Sequence, residues 1–315
     1  MRALVIGASG QVGGAVLEAL RARGHQPLGT YAHHAAPDLA PLDVTDRGAV
    51  ERAIVDARAD WVLCPAGLTH VDHCEEHLAE AFAINRDGAL HAAREARRAG
   101  AGFVFFSTEY VFDGEQGPYA EDDPARPLSV YGRSKWEGER ALLEEVERAL
   151  VVRTTVVYGP DAQEKNFVYQ LIRNCRNGQP MRIPVDQLSS PTYNVDLARA
   201  TVELCERDHH GVYHLAGDGV LDRFAFARLA CEVFALDPSR LTPVATAALG
   251  QKAPRPLKGG LCIAKARGVL ATPLRSPESG LRAMRAALEG APGAAGPIGA
   301  PSAPSRAVDQ SPGIR

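Results

Sequence analysis

An α/β fold built on a doubly wound parallel sheet is predicted by three observations. Apolar runs of strand length alternate with amphipathic helical patterns through the first half of the chain, the order expected when each strand is followed by a helix that crosses back over the sheet. A glycine-rich turn, Gly7-Ala8-Ser9-Gly10-Gln11-Val12-Gly13, stands between the first strand and the first helix. The apolar run Phe103-Val104-Phe105-Phe106 ends in Ser107-Thr108, which puts hydroxyls at a strand's carboxyl end, where open α/β sheets bind ligands. Together these describe a Rossmann-type sheet, and the looser second half supplies a smaller α/β substrate lobe.

The elements follow in order. Ala3-Leu4-Val5-Ile6 is the first strand, and Val12, Val16, Ala19 and Leu20 line one side of the helix after the glycine turn. Glycines there let the backbone turn tightly and approach a pyrophosphate, whose charge is favoured at a helix amino terminus. The second strand, Gln26 to Tyr31, runs into Ala32-His33-His34. An NAD-preferring site usually places an acid there, and none occurs before Asp38. NADP(H) is therefore favoured, with NAD(H) left open and His33 or His34 as neighbours of a 2′-phosphate.

A short third strand precedes Asp43-Val44-Thr45-Asp46, which offers Asp43 to an adenine amino group and Thr45 or Asp46 as cap of a helix over Arg47 to Arg58. Trp61-Val62-Leu63-Cys64 is the fourth strand. The segment after it holds His70, His73, Cys74 and His77, but no four-ligand set of recognised spacing, so no metal is assigned. A continuous helix is expected over Ala81 to Gly100. Tyr131-Gly132-Arg133-Ser134-Lys135 opens the next helix, and Ala149 to Arg153 with Thr155 to Tyr158 make a sixth strand. Beyond Gly159 come helices over Phe167 to Asn177 and Asp196 to Glu206, a strand over Gly211 to Leu215 able to rejoin the sheet, and helices over Phe224 to Phe234 and Ser279 to Glu289.

Composition narrows the function classes. The chain has 315 residues, 45% hydrophobic and 23% charged, enough for a large core, and its formal charge of −3 without a basic block gives no footprint for nucleic acid. No apolar run approaches membrane-spanning length. The first strand begins directly after Met1, which leaves no room for a targeting peptide and points to the cytoplasm. Six cysteines without paired short spacing imply no disulfide framework.

Tyr131 and Lys135 stand four residues apart on one helix face, so the ammonium is expected to favour phenolate and lower the tyrosine's pKa. Such a pair is common on surface helices. Its combination with Thr108 and the glycine turn is what points to proton transfer beside a dinucleotide.

With Gly7 to Gly13, Thr69-x-Val71-Asp72-x-x-Glu75, Ser107-Thr108-x-Tyr110-Val111-Phe112-Asp113-Gly114, Tyr131-x-x-x-Lys135, Arg153-Thr154, Asn166-Phe167, Asp186-Gln187 and Arg255-Pro256 in hand, the chain resembles the extended short-chain dehydrogenase/reductases. Within them it is similar to the dTDP-4-dehydrorhamnose reductase family, over Met1 to Glu289. The resemblance implies Thr108, Tyr131 and Lys135 as catalytic residues. It implies cofactor contacts at Gly7, Gly10, Gln11, Val12, Gly13, His33, Asp43, Val44, Ala66, Tyr131 and Lys135, the last binding the nicotinamide ribose, and substrate contacts at Val71, Tyr110, Val156, Asn166 and Arg255.

The implied reaction is NAD(P)H-dependent reduction of a nucleotide-linked 4-keto-deoxysugar, with a homodimer open. A sugar-nucleotide epimerase or dehydratase is the alternative, as is a non-catalytic NADP-binding subunit like the regulatory beta subunit of methionine adenosyltransferase. The sequence departs from the family pattern at Cys64-Pro65-Ala66 (usually Asn-Ala-Ala), at Glu109 (usually Asp) and at Val156, where a tryptophan commonly faces the sugar. The expected organisation is a cofactor-binding domain over 1–158, rejoined by 186–216, a substrate lobe from 159–185 and 217–290, and a disordered tail over 291–315.

Overall fold

The structure, a computed structural model, describes residues 1–290, so the expected tail lies outside the described residues. The first half reads β1 (Arg2–Val5), α1 (Gln11–Ala22), β2 (Gln26–Tyr31), β3 (Leu39–Pro41), α2 (Arg47–Ala57), β4 (Trp61–Cys64), α3 (Val71–Glu76), α4 (Leu78–Phe82), α5 (Ala89–Arg98), β5 (Gly102–Thr108), α6 (Val130–Glu145) and β6 (Ala149–Thr154). The second half continues with β7 (Val157–Tyr158), α7 (Phe167–Arg176), β8 (Met181–Pro184), β9 (Leu188–Ser189), β10 (Thr192–Tyr193), α8 (Asn194–Glu206), β11 (Gly211–His214), β12 (Leu221–Asp222), α9 (Arg223–Val233), β13 (Leu241–Val244), α10 (Ala264–Val269) and α11 (Pro277–Glu289).

Seven strands form one sheet in the order β11-β6-β5-β4-β1-β2-β3, and every neighbouring pair is parallel. The order reverses at β1 and β4, the switch point at which such sheets bind ligands. β5 shows why the strands read as unbroken apolar runs. Its Phe103 and Phe105 pack with α2, α5 and α6 on one face, while Val104 and Phe106 pack with α1 and α8 on the other. A separate core joins Tyr158, Leu171, Ile172, Phe226, Leu241, Leu281 and Met284 in the second half of the chain.

Two expectations are corrected. The sixth strand stops at Thr154, because Val156 turns to φ +40 and sends Val157–Tyr158 to pair with β10 in a two-stranded sheet. A β-branched residue in that conformation is strained, of order 1–3 kcal/mol. The helix over Ala81 to Gly100 is not continuous: a π-helical turn over Ala83–Gly88 separates α4 from α5 and turns Asn85 fully inward. The short-range pattern of alanines does not distinguish these two geometries.

Candidate active site

At the carboxyl ends of β1, β4, β5 and β6 lies a cavity of about 440 Å³. Its wall includes Gly7, Gly10, Gln11, Val12 and Gly13 at one end, Thr108, Tyr131 and Lys135 in the middle, and Val71, Tyr110 and Val156 toward the second half of the chain. Residues read from five separate stretches of sequence thus meet around one space.

The glycine turn has no room for side chains on its inner side. A Cβ on Gly13 would sit 2.2 Å from the Gly7 carbonyl oxygen, and one on Gly7, at φ +91, would sit 3.0 Å from the Ala66 backbone. Gly10 is the extended N-cap of α1, with its Cβ direction open except for Gly7 O at 3.5 Å. Gln11 Nε2 donates to Val157 O at 3.3 Å, tying the turn to β7.

Helix α6, which carries Tyr131 and Lys135, is held in place by contacts from several elements. Ser129 caps it by accepting from Gly132 N, and Glu75 of α3 accepts from Val130 N at 2.9 Å. Gly132 lets its first turn press on the Tyr110 carbonyl, since a Cβ there would lie 2.1 Å from that oxygen. Asn85 accepts from Leu68 N and donates to Leu68 O and Ser134 Oγ, fastening the loop after β4 to α6. Behind the helix, Arg153 and Glu139 form a buried ion pair with 2.7 and 3.1 Å contacts.

Tyr131 is buried, with its ring 5.6 Å from that of Tyr110. Burial pushes its phenol well above the ordinary tyrosine range, and the hydrogen-bonded Thr108 hydroxyl acts the other way. The expected lowering by Lys135 is corrected. The ammonium is itself buried, donates to Phe106 O at 3.0 Å and lies 4.6 Å over the Phe105 ring, so desolvation lowers Lys135 to about 8. Ser107 Oγ and Thr154 Oγ1, both on the cavity wall, are buried with no hydrogen-bond partner among the described residues.

Other expected contacts lie elsewhere. Asn166 is not on the cavity wall; it is the N-cap of α7, accepting from Val168 and Tyr169 N and donating to Gly159 O. Arg255 is not on the cavity wall; it pairs with Asp72 at 2.9 Å, one residue before the wall residue Pro256. Val44 is buried in the core, Ala66 packs against that core under Gly7, and Asp43 closes a turn on Thr45 N and Oγ1. Asp46, not Thr45, caps α2. His33 is exposed at the end of β2 and is not on the cavity wall.

Sequence reasoning missed two cations. Arg223, the first residue of α9, reaches the cavity wall beside Tyr110, Gln187 and Ser189, stacked 4.9 Å over Phe167. No hydrogen bond or ion pair engages its guanidinium among the described residues. Lys165 comes from the loop before α7 to within 3.2 Å of His34 Nε2, while Gln163 of the same loop donates to Ser9 O at 2.7 Å. Neither sits in a motif; the fold brings Arg223 to the cavity wall and Lys165 to His34, just past the end of β2. Glu109, also on the wall, is raised by burial and accepts from Gly260 N at 2.8 Å.

Comparison with known proteins agrees with this geometry. The family model described as the RmlD substrate binding domain matches residues 1–289. A dTDP-4-dehydrorhamnose reductase of Mycobacterium tuberculosis is 36% identical over 292 residues, covering 91% of this chain and 93% of that protein. The spore coat polysaccharide biosynthesis protein SpsK of Bacillus subtilis is 34% identical over 256 residues, 81% of this chain and 87% of its own. Among solved structures, a dTDP-4-dehydrorhamnose reductase from Clostridium acetobutylicum superposes with a TM-score of 0.84 at 29% identity, over 92% of this chain and all of that one. The Bacillus anthracis enzyme in complex with NADP gives 0.83 at 29% identity, over 90% of this chain and 98% of that one. The chain belongs to the RmlD substrate binding domain family, the dTDP-4-dehydrorhamnose reductases of the extended short-chain dehydrogenase/reductase superfamily.

Proposed function

We propose that this protein reduces a nucleotide-linked 4-keto-deoxysugar with NADP(H). The observation that carries the reading is that Thr108, Tyr131 and Lys135 share one cavity wall with the glycine turn. The cradle fits a dinucleotide: Gly7 and Gly13 hold the turn where side chains would clash, and Gly10 leaves the backbone open to a pyrophosphate at the start of α1. The unpartnered hydroxyls of Ser107 and Thr154 offer polar contacts deeper in the same cavity. Lys165 beside His34 adds a cation near the end of β2, which favours a 2′-phosphate. A 2.65 Å structure of a relative holds NADP, in keeping with this choice.

When bound, NADPH supplies the hydride that adds to the ketone carbon. The chain supplies the proton and the orientation. Tyr131 passes its phenolic proton to the carbonyl oxygen as that oxygen gains charge, and Thr108 donates a hydrogen bond to the same oxygen. A phenol held protonated by burial suits a reductive proton donor at neutral pH. Lys135, charged below about 8, offsets the phenolate left behind, which then recovers a proton from solvent. Arg223, whose guanidinium makes no hydrogen bond among the described residues although Glu109 shares its wall, is the cation for the diphosphate of the nucleotide sugar.

The same reading gives 1–158 with 186–216 to the cofactor and 159–185 with 217–290 to the sugar nucleotide, in a cytoplasmic homodimer. Among the described residues no helix is long and apolar enough to cross a membrane. The test is to mix the protein with NADPH and a panel of nucleotide-linked 4-ketosugars, follow cofactor absorbance and identify the product. Reduction at position four supports the reading. NADPH that binds yet is never consumed would favour the non-catalytic subunit instead.

A further inference from the structure

The histidine-rich segment after β4 plays no part in the chemistry above, yet the fold gathers part of it. Ligand atoms of His73, His77 and Glu80, on α3, its cap and α4, lie within 4.8 Å of one another. We propose that these three side chains bind a divalent transition-metal ion of the zinc class, cross-linking α3 to α4.

The chemistry of the donors carries this. Two imidazoles and a carboxylate form a common three-ligand zinc set that leaves a fourth position to water, whereas magnesium prefers all-oxygen shells. His73 Nε2 and Glu80 Oε2 stand 2.9 Å apart, bridged by a single proton, and a cation can take that proton's place. His77 Nδ1 lies 3.1 Å from His73 O, so it donates there and leaves Nε2 with its lone pair, the orientation that metal-binding histidines adopt. The two rings stack with centroids 3.9 Å apart, so a small rotation of exposed side chains closes the set around an ion.

The segment's other donors are engaged elsewhere. Cys74 is buried with Sγ toward Leu68 O, and His70 caps α3 by accepting from His73 N. Spacing alone gave no ligand set, and Glu80, seven residues after His73, joins the two histidines only because α4 folds back beside α3. A bridge here would brace a helix that matters to the active site. α3 also carries Val71 on the cavity wall, Asp72 in its pair with Arg255, and Glu75 under the first turn of the catalytic helix.

The experiment uses the full chain without an affinity tag. Zn²⁺ is titrated in competition with a chromogenic chelator, Co²⁺ is followed by its visible absorption, and thermal unfolding is measured with and without Zn²⁺. One equivalent is expected to bind, with a Co²⁺ spectrum of low coordination number and a rise in unfolding temperature on adding Zn²⁺. His77→Ala and Glu80→Gln, both at exposed positions, should each weaken uptake by at least about tenfold and abolish the thermal shift. Excess Mg²⁺ should not compete. The proposal is overturned if the wild type takes up no more Zn²⁺ than His77→Ala, if both variants bind like the wild type, or if Mg²⁺ displaces the ion.

Discussion

Replacing two glycines of the same turn should separate folding from cofactor binding. At Gly13 a methyl group would lie 2.2 Å from Gly7 O and 2.8 Å from the Ala8 Cα, backbone atoms that cannot move without opening the turn. Gly13→Ala is therefore an overpacking change and should cost about 1–3 kcal/mol of stability or more. Gly10 differs: its φ of −83 is ordinary for any residue, and its Cβ would meet only Gly7 O, at 3.5 Å. Gly10→Val should leave the unfolding transition within about 1 kcal/mol of wild type, the scale of a changed N-cap.

What Gly10→Val removes is the approach of a pyrophosphate to the start of α1. Losing one or two hydrogen bonds to a charged group, about 1.5–3 kcal/mol each, corresponds to roughly tenfold or more in NADPH affinity. Thermal unfolding and a fluorescence titration with NADPH, run on both variants, make the comparison. If Gly10→Val folds and binds NADPH as tightly as wild type, the cofactor does not lie on this turn and the assignment fails.

Three further outcomes follow from the same geometry. Lys135, lowered to about 8 by burial, loses its charge as pH rises through that value; kcat/KM should fall about tenfold per unit on the alkaline side, and Lys135→Met should remove that limb from the profile. Arg223→Met keeps the packing on Phe167 but removes the cation, so KM for the nucleotide sugar should rise about tenfold or more while NADPH affinity holds; an unchanged KM would move the diphosphate elsewhere. The wild type should use NADPH at least as well as NADH, and His33→Asp should invert that order by repelling a 2′-phosphate, about tenfold for each 1.4 kcal/mol; steady-state comparison at one ionic strength checks both, and a strong NADH preference in the wild type would refute the argument from the missing acid.

Much of the sheet is legible in the sequence because strands buried on both faces have no polar alternation to disguise them. β2 and β4 fall on the residues expected, and Gly211–His214 does rejoin the sheet beside β6. Local signals fail where tertiary contacts decide. Val156 reads as one more strand residue, and its turn to positive φ answers to the pairing of β7 with β10. Asn85 reads as a tolerated helix residue, yet its bonds to Leu68 and Ser134 accompany a break in the helix.

The site shows the same division. Thr108, Tyr131, Lys135 and the glycine turn stand out in the sequence by spacing and residue type, and the fold brings them to one cavity wall. Arg223 lies more than two hundred residues from the glycine turn and shares its cavity only through the fold, as Lys165 reaches His34 only through the fold. Asn166 lies off the cavity wall, where its side chain caps α7, a role that its place in a motif does not announce. The spacing of Tyr131 and Lys135 reports a nearby ammonium but not the burial that raises the phenol's pKa.

The most direct test of the central claim, that Tyr131 hands its proton to the reduced oxygen, is the turnover of Tyr131→Phe on the 4-ketosugar that the wild type reduces, set beside its NADPH affinity. The ring and its edge contact with Tyr110 remain in the variant, so packing is preserved while the proton donor is lost. We expect kcat to fall by about a hundredfold or more with NADPH affinity little changed. Near-normal turnover in Tyr131→Phe would contradict the account.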